Sequence, residues 1–258
     1  MKKAPAIFIG HGSPMNVIEN NEFNDTIKKI GQKILENKPR AIVCISAHYQ
    51  SEGIEIDGSL NPKTIYDFTG FPEVLYQMQY KAPGNPTLAK ILSEILDAKV
   101  TTNWGLDHGA WNVLWHLIPN ADIPVVMLSL DYNLSFEQHF NLGVKLNKLR
   151  EKGVMILGSG NIVHSFKGIQ FNESALPHQY SVDFEKYVKE NISNKKFDNL
   201  IKFENSIYEA AKFSVNSAEH YLPLLYVLGA SDREEKESLF NQKIVFSTLS
   251  MISVGFGI

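Results

Sequence analysis

Four short apolar runs punctuate the chain: AIFIG (6–10), AIVCISA (41–47), VVMLSL (125–130) and VMILGS (154–159). Each is apolar at consecutive rather than alternate positions, the pattern of a strand buried on both faces in a parallel sheet. Between them the period lengthens to that of a helix. NEFNDTIKKIGQKILEN places Phe23, Ile27, Ile30 and Ile34 on one face. SFEQHFNLGVKLNKLREKG opens with a Ser135/Gln138 capping box, stacks Phe136, Phe140 and Val144, and stops at Gly153. Strand–helix–strand alternation predicts an α/β fold: a single domain over residues 1–258, with a central, mostly parallel sheet covered by helices. The stretch from Ser51 to Pro86 is richer in Pro and Gly, and reads as long loops with a short helix forming the wall of a site. The C-terminal IVFSTLSMISVGFG alternates enough for one or two strands, antiparallel at the sheet edge.

Composition narrows the function classes. The 258 residues are 44% hydrophobic and 21% charged with a net charge of -3, which gives no electrostatic case for nucleic acid or an acidic membrane surface. No run of 18 apolar residues is present to span a membrane, and the apolar run of MKKAPAIFIGHGSP is too short for a signal peptide. The one cysteine, Cys44, sits mid-strand as a small hydrophobe and allows no intramolecular disulfide, so a reducing cytoplasm is the expected location.

The candidate chemistry lies in the histidines. His11 follows AIFIG, His48 follows AIVCISA, and His164 follows VMILGSGNIV through a glycine-containing turn. In an open parallel sheet the carboxyl ends of the strands share one edge, where ligands bind, so residues far apart in sequence converge there. The metal site is therefore expected at that edge, and the glycines around His11 allow the sharp turn it needs. His108, in WGLDHGAW, and His220, in SAEHYLPLLYVLGA, lie in turns before apolar helical runs. Several converging imidazoles suit Zn²⁺ or Fe²⁺. His116, His139 and His178 read as structural, with His139 on the surface of its helix. Asp107 either orients His108 or caps the following helix. No Gly-x-Ser-x-Gly elbow supports a serine nucleophile at Ser13, and GSGNIVHS lacks the ending of a phosphate loop.

The segments FIGHGSPMN, ISAHY, TIYDFTGFPEVLYQMQYKAPGNP, WGLDHGAWNVLWHLIPNADIPVVMLSLD, ILGSGNIVHS and AEHYLPLLYVLGA run from residue 8 to Ala230. Together and in this order they resemble the 4,5-DOPA extradiol dioxygenase family, related to the catalytic subunit of protocatechuate 4,5-dioxygenase. The resemblance implies one mononuclear divalent metal, Zn²⁺ or Fe²⁺, held by His11, His48 and His220. It places His164 beside the metal as a ligand or an acid/base, and His108 in the second sphere as a catalytic group. Ser13 and Tyr221, which lie in the same segments, are expected at the substrate. Where many iron extradiol enzymes use two histidines and a carboxylate, a histidine stands here, directly after Glu219. The implied reaction is extradiol cleavage of a catechol, DOPA-like, with O₂. The same residues admit a zinc hydrolase or lyase with metal hydroxide as nucleophile, or a non-catalytic protein that binds a ligand or partner. Tyr49, Tyr66, Phe68, Phe71, Trp104, Trp111 and Tyr221 serve an aromatic pocket or the core. The oligomeric state stays open.

Overall fold

The protein is described by a computed structural model covering residues 3–172 and 174–258. Its elements run β1 (Ala6–Gly10), α1 (Glu22–Glu36), β2 (Ala41–Ser51), β3 (Glu55–Asp57), α2 (Glu73–Gln77), α3 (Pro86–Leu96), β4 (Lys99–Thr101) and α4 (His108–Leu117). They continue with β5 (Val125–Asp131), α5 (Phe136–Arg150), β6 (Val154–Gly160), α6 (Gln179–Ser193), α7 (Phe197–Ile201), α8 (Glu204–Ser214) and α9 (Leu222–Ala230). β7 (Glu237–Phe240), β8 (Ile244–Val245), β9 (Leu249–Ser250) and β10 (Ser253–Phe256) complete the chain.

Eight strands form one sheet in the order β4-β3-β5-β2-β6-β1-β10-β7. The four apolar runs are its four central strands, all mutually parallel. Antiparallel strands flank them: β3 against β5 on one side, β10 against β1 on the other. The antiparallel C-terminal strand is thus present as β10, but β7 covers it and forms the edge. Residues 244–250 leave the sheet and close a separate hairpin, β8–β9.

Successive side chains on a strand point to opposite faces, and the central strands use both. Ile7, Ile9, Ile42, Cys44, Met155 and Leu157 pack under α1 and α4; Phe8, Val43, Ile45, Val126, Leu128 and Ile156 pack under α5, α6 and α9. Each fully buried aliphatic side chain contributes roughly 1.5–3 kcal/mol, so two such cores hold the sheet rigid beneath its edge.

α1 and α5 form where their patterns place them, with Asn21 and the Ser135/Gln138 box as N-caps. The inward face of α5 differs from the expected stack. Val144 is exposed, and the buried stripe is His139, Leu142, Gly143, Leu146 and Leu149. Gly143 causes this rotation: a Cβ there would strike the Tyr226 carbonyl, so its absence lets α5 lie directly on α9. His139, expected at the surface, is accordingly fully buried, its Nδ1 3.0 Å from the Tyr226 hydroxyl. Burial pushes its pKa down to about 4. Among the described residues no helix is long and apolar enough to cross a membrane.

Candidate metal centre

Three elements deliver the histidines to the carboxyl edge of the parallel strands. His11 directly follows β1, and its N–H donates to the Gly160 carbonyl at the end of β6 (3.0 Å). The chain then turns through Gly12 at φ +69°, a left-handed conformation that favours glycine. His48 lies within β2, which continues to Ser51, beyond the run of 41–47. The pairing of β2 with β5 shifts register between Ile45 and Gln50, and that irregularity carries His48. His220 comes from the turn before α9. Its carbonyl accepts from the Asn161 N–H at 2.9 Å and lies against Gly160, where a Cβ would clash with it.

One ring nitrogen from each of His11, His48 and His220 lies within 4.8 Å of the others. The ring centroids are 5.1, 5.3 and 5.2 Å apart, nearly an equilateral triangle. Neighbours on the far side of each ring determine which nitrogen faces inward. The Ser159 hydroxyl donates to the Gly109 carbonyl (2.6 Å), so it accepts from His11 Nδ1–H (2.9 Å), leaving Nε2 as a bare lone pair. His220 Nδ1 donates to Glu219 Oε1 at 3.0 Å. His48 Nδ1 lies 3.3 Å from Asp67 Oδ2. The Nε2 lone pairs of His11 and His48 consequently face each other at 3.4 Å, an arrangement that a cation between them resolves. Burial, with the neighbouring histidines adding to it, holds His11 and His48 well below the usual imidazole pKa and therefore neutral, the ligating form. Burial raises the pKa of Glu219, but hydrogen bonds from His220 and Ser217 outweigh it and bring the carboxyl to about 2, so it stays ionised behind His220. The donor set fits a divalent metal ion.

His108 is the first residue of α4, its ring centroid 4.0 Å from that of His48. Asp107 caps α4 through Ala110 N–H and also accepts from Ser46 and Trp104, so the capping alternative holds. Burial, with Asp67 adding to it, lifts the Asp107 carboxyl to about 6. The residue that orients His108 is Asp67, from the Pro/Gly-rich stretch. That stretch contains α2 and, unforeseen, the short strand β3, and it supplies the expected wall. Phe68 meets the His108 ring edge-on at 5.6 Å, backed by Phe71 and Tyr76. Tyr49 stacks on Trp104 and is buried in the core.

Two of the residues read from sequence are placed otherwise. His164 stacks flat on His220, centroids 3.6 Å apart and planes 2° from parallel. Imidazole lone pairs lie in the ring plane, so these two parallel rings do not point at one spot; His164 groups instead with Glu219 and His220, one ligand atom of each lying within 4.8 Å of the others. Burial, then His220, lowers its pKa to about 3. Tyr221 is fully buried among Phe136, Phe184 and Phe203, its hydroxyl donating to the Leu200 carbonyl (2.9 Å). Consecutive residues at a helix start diverge in direction, so with His220 facing the edge Tyr221 faces the core. Ser13 stays beside His11 and caps the 3-10 turn Pro14–Val17 through Met15 N–H. Asp67 and Ser159 were not singled out from sequence; Asp67 lies in a quoted segment and Ser159 at the end of an apolar run, with no local pattern to mark either.

A family profile described as the catalytic LigB subunit of aromatic ring-opening dioxygenase matches residues 5–257. The chain belongs to this LigB family and is an extradiol dioxygenase by class. It is 41% identical to the 4,5-DOPA dioxygenase extradiol of Escherichia coli K12, over 99% of this chain and 95% of that one. A Beta vulgaris protein with the same description is 33% identical over 91% of this chain and 89% of its own length. The crystal structure of an uncharacterized Escherichia coli K12 protein superposes with a TM-score of 0.84 at 37% identity, covering 98% and 99% of the two chains.

Proposed function

We propose that this enzyme opens the ring of a catechol, DOPA-like in character, between one hydroxylated carbon and its unhydroxylated neighbour, using O₂ and a single Fe²⁺ held by His11, His48 and His220. The supporting observation is the convergence of the three histidines, with the inward Nε2 of His11 and His48 left as facing lone pairs. When bound, the iron supplies a Lewis acid for the phenolic oxygens and the electrons that O₂ needs, which Zn²⁺ in the same place lacks. His108, beside His48 and against Phe68, takes the proton of a substrate hydroxyl and returns a proton to an O₂-derived oxygen as the O–O bond breaks, both oxygen atoms staying in the ring-opened product. Phe68 and Phe71 give the substrate ring an apolar wall that limits water. His164 keeps His220 in plane by stacking on it. Ser13, next to His11 across Gly12, is the hydroxyl assigned in this reading to meet a substrate hydroxyl.

Oxygen consumption tests this reading. Fe²⁺-loaded enzyme with a panel of catechols, DOPA among them, should take up one O₂ per ring opened and form a yellow semialdehyde chromophore. Zn²⁺-loaded enzyme should not. Absence of uptake with every catechol at full iron occupancy would overturn it.

A further inference from the structure

Asp67 spends its whole carboxylate on two histidines. Oδ1 accepts the backbone N–H of His108 at 2.8 Å, and Oδ2 accepts the ring Nδ1 of the same residue at 2.9 Å. The second oxygen also lies 3.3 Å from His48 Nδ1. A carboxylate that grips both backbone and ring of one residue removes the rotation that otherwise lets an imidazole at a helix start swing away. It also dictates the location of the proton. An ionised carboxylate only accepts, so the ring nitrogen facing it must carry the hydrogen.

We propose that Asp67 is a positioning residue that locks His108 as its Nδ1–H tautomer, so that Nε2 is the proton acceptor during ring opening. This rests on the reading of His108 as the acid/base. Asp107, adjacent in sequence, cannot do the same, because its oxygens are committed to Ala110, Ser46 and Trp104. Asp67 therefore comes to His108 from 41 residues away through the fold of the Pro/Gly-rich wall, and Phe68, the next residue, braces the same ring. Wall and acid/base are one unit: displacing the wall would release the tautomer.

Asp67→Asn is the discriminating variant, since it keeps size and shape. Its amide turns a donor toward His108 Nδ1 while Oδ1 still accepts the backbone N–H, which drives the ring proton to Nε2. The first readout is the imidazole nitrogen spectrum of the full-length protein, recorded with zinc and again after chelation, with His108 assigned by difference from His108→Gln. The wild type should show His108 protonated at Nδ1, and Asp67→Asn should show it protonated at Nε2. The second readout is turnover of iron-loaded enzyme. With the wrong tautomer kcat should fall on the order of 10²-fold with KM changed by less than about threefold. His108→Ala should fall by about 10²–10⁴-fold, and the double variant no further, because Asp67 acts through His108. An unchanged His108 tautomer in Asp67→Asn would overturn the proposal. So would losses that multiply in the double variant, which would mean that Asp67 serves His48 instead. Full turnover by His108→Ala would overturn the acid/base reading itself, and the role of Asp67 with it. A silent Asp67→Asn beside an inactive His108→Ala would overturn the Asp67 proposal alone.

Discussion

Ser159→Ala removes one oxygen atom from the floor of the metal centre. The hydroxyl is fully buried, accepts from His11 Nδ1 at 2.9 Å and donates to the Gly109 carbonyl at 2.6 Å. Alanine keeps the Cβ and the pairing of Ser159 with Ile9, so β6 and β1 stay in register. Two buried polar groups then lose their partner, each at a cost of about 1–3 kcal/mol, which lowers the stability of the metal-free fold. His11 also loses the acceptor that held its proton on Nδ1. In the variant the proton can occupy Nε2, the atom that faces the other two histidines, and must be expelled before a metal binds. Outer-sphere partners of this kind are typically worth about 10–100-fold in metal affinity, or roughly 1.4–2.7 kcal/mol. Zinc affinity by competition with a chromogenic chelator, measured beside the urea midpoint of the metal-free protein, reads both effects. Zinc affinity within threefold of wild type, with only the midpoint lowered, would refute the reasoning: Ser159 would then support the fold without orienting His11.

Three further outcomes are expected. Gly160→Ala places a methyl group on the His220 carbonyl, displacing that ligand, so metal content should fall steeply while circular dichroism stays near wild type; full metal retention would contradict the close approach. His139 titrates at about 4 when folded against 6.5 unfolded, so between those values the unfolded chain binds the extra proton. The stability contributed above pH 6.5 is lost as pH falls toward 4, amounting to about 2 kcal/mol at about pH 5. The double variant His139→Leu/Tyr226→Phe removes both hydrogen-bonding partners together, and its urea stability should lose that much less between about pH 7.5 and about pH 5 than the wild type does; parallel pH profiles would sink the assignment. His48→Ala should lose metal and turnover together while the fold survives on the burial of its two cores, and a retained equivalent of metal would remove His48 from the ligand set.

The frame of this fold was legible because buried parallel strands leave a dense signal. Four apolar runs mark the four central strands, and the parallel arrangement alone predicts that residues beyond their ends converge. His11 needed only that logic, and His48 followed although it proved to lie inside its strand. His220 and His108 rested on recognisable segments, since neither follows a strand. Less visible were the contacts that depend on the absence of a side chain or on distant partners. Gly143 carries no hydrophobic signal, yet it turns α5 so that His139 faces inward and Val144 outward. β3 and β4 are three residues each, too short for a period to emerge. Asp67 sits in a loop without periodicity and becomes meaningful only when the wall folds over α4. Tyr221 was open to either the pocket or the core, and only the packing of α9 against Phe136, Phe184 and Phe203 places its ring in the core.

The central claim is that His11, His48 and His220 hold one divalent metal through nitrogens whose opposite faces are fixed by the surrounding protein. Anomalous diffraction at the metal absorption edge, from crystals of the full chain loaded with one equivalent of iron or zinc, tests it most directly. The account predicts a single strong peak about 2.0–2.2 Å from Nε2 of all three histidines, with His164 stacked on His220 and outside bonding distance. A peak elsewhere, or one lacking any of the three nitrogens, would contradict it.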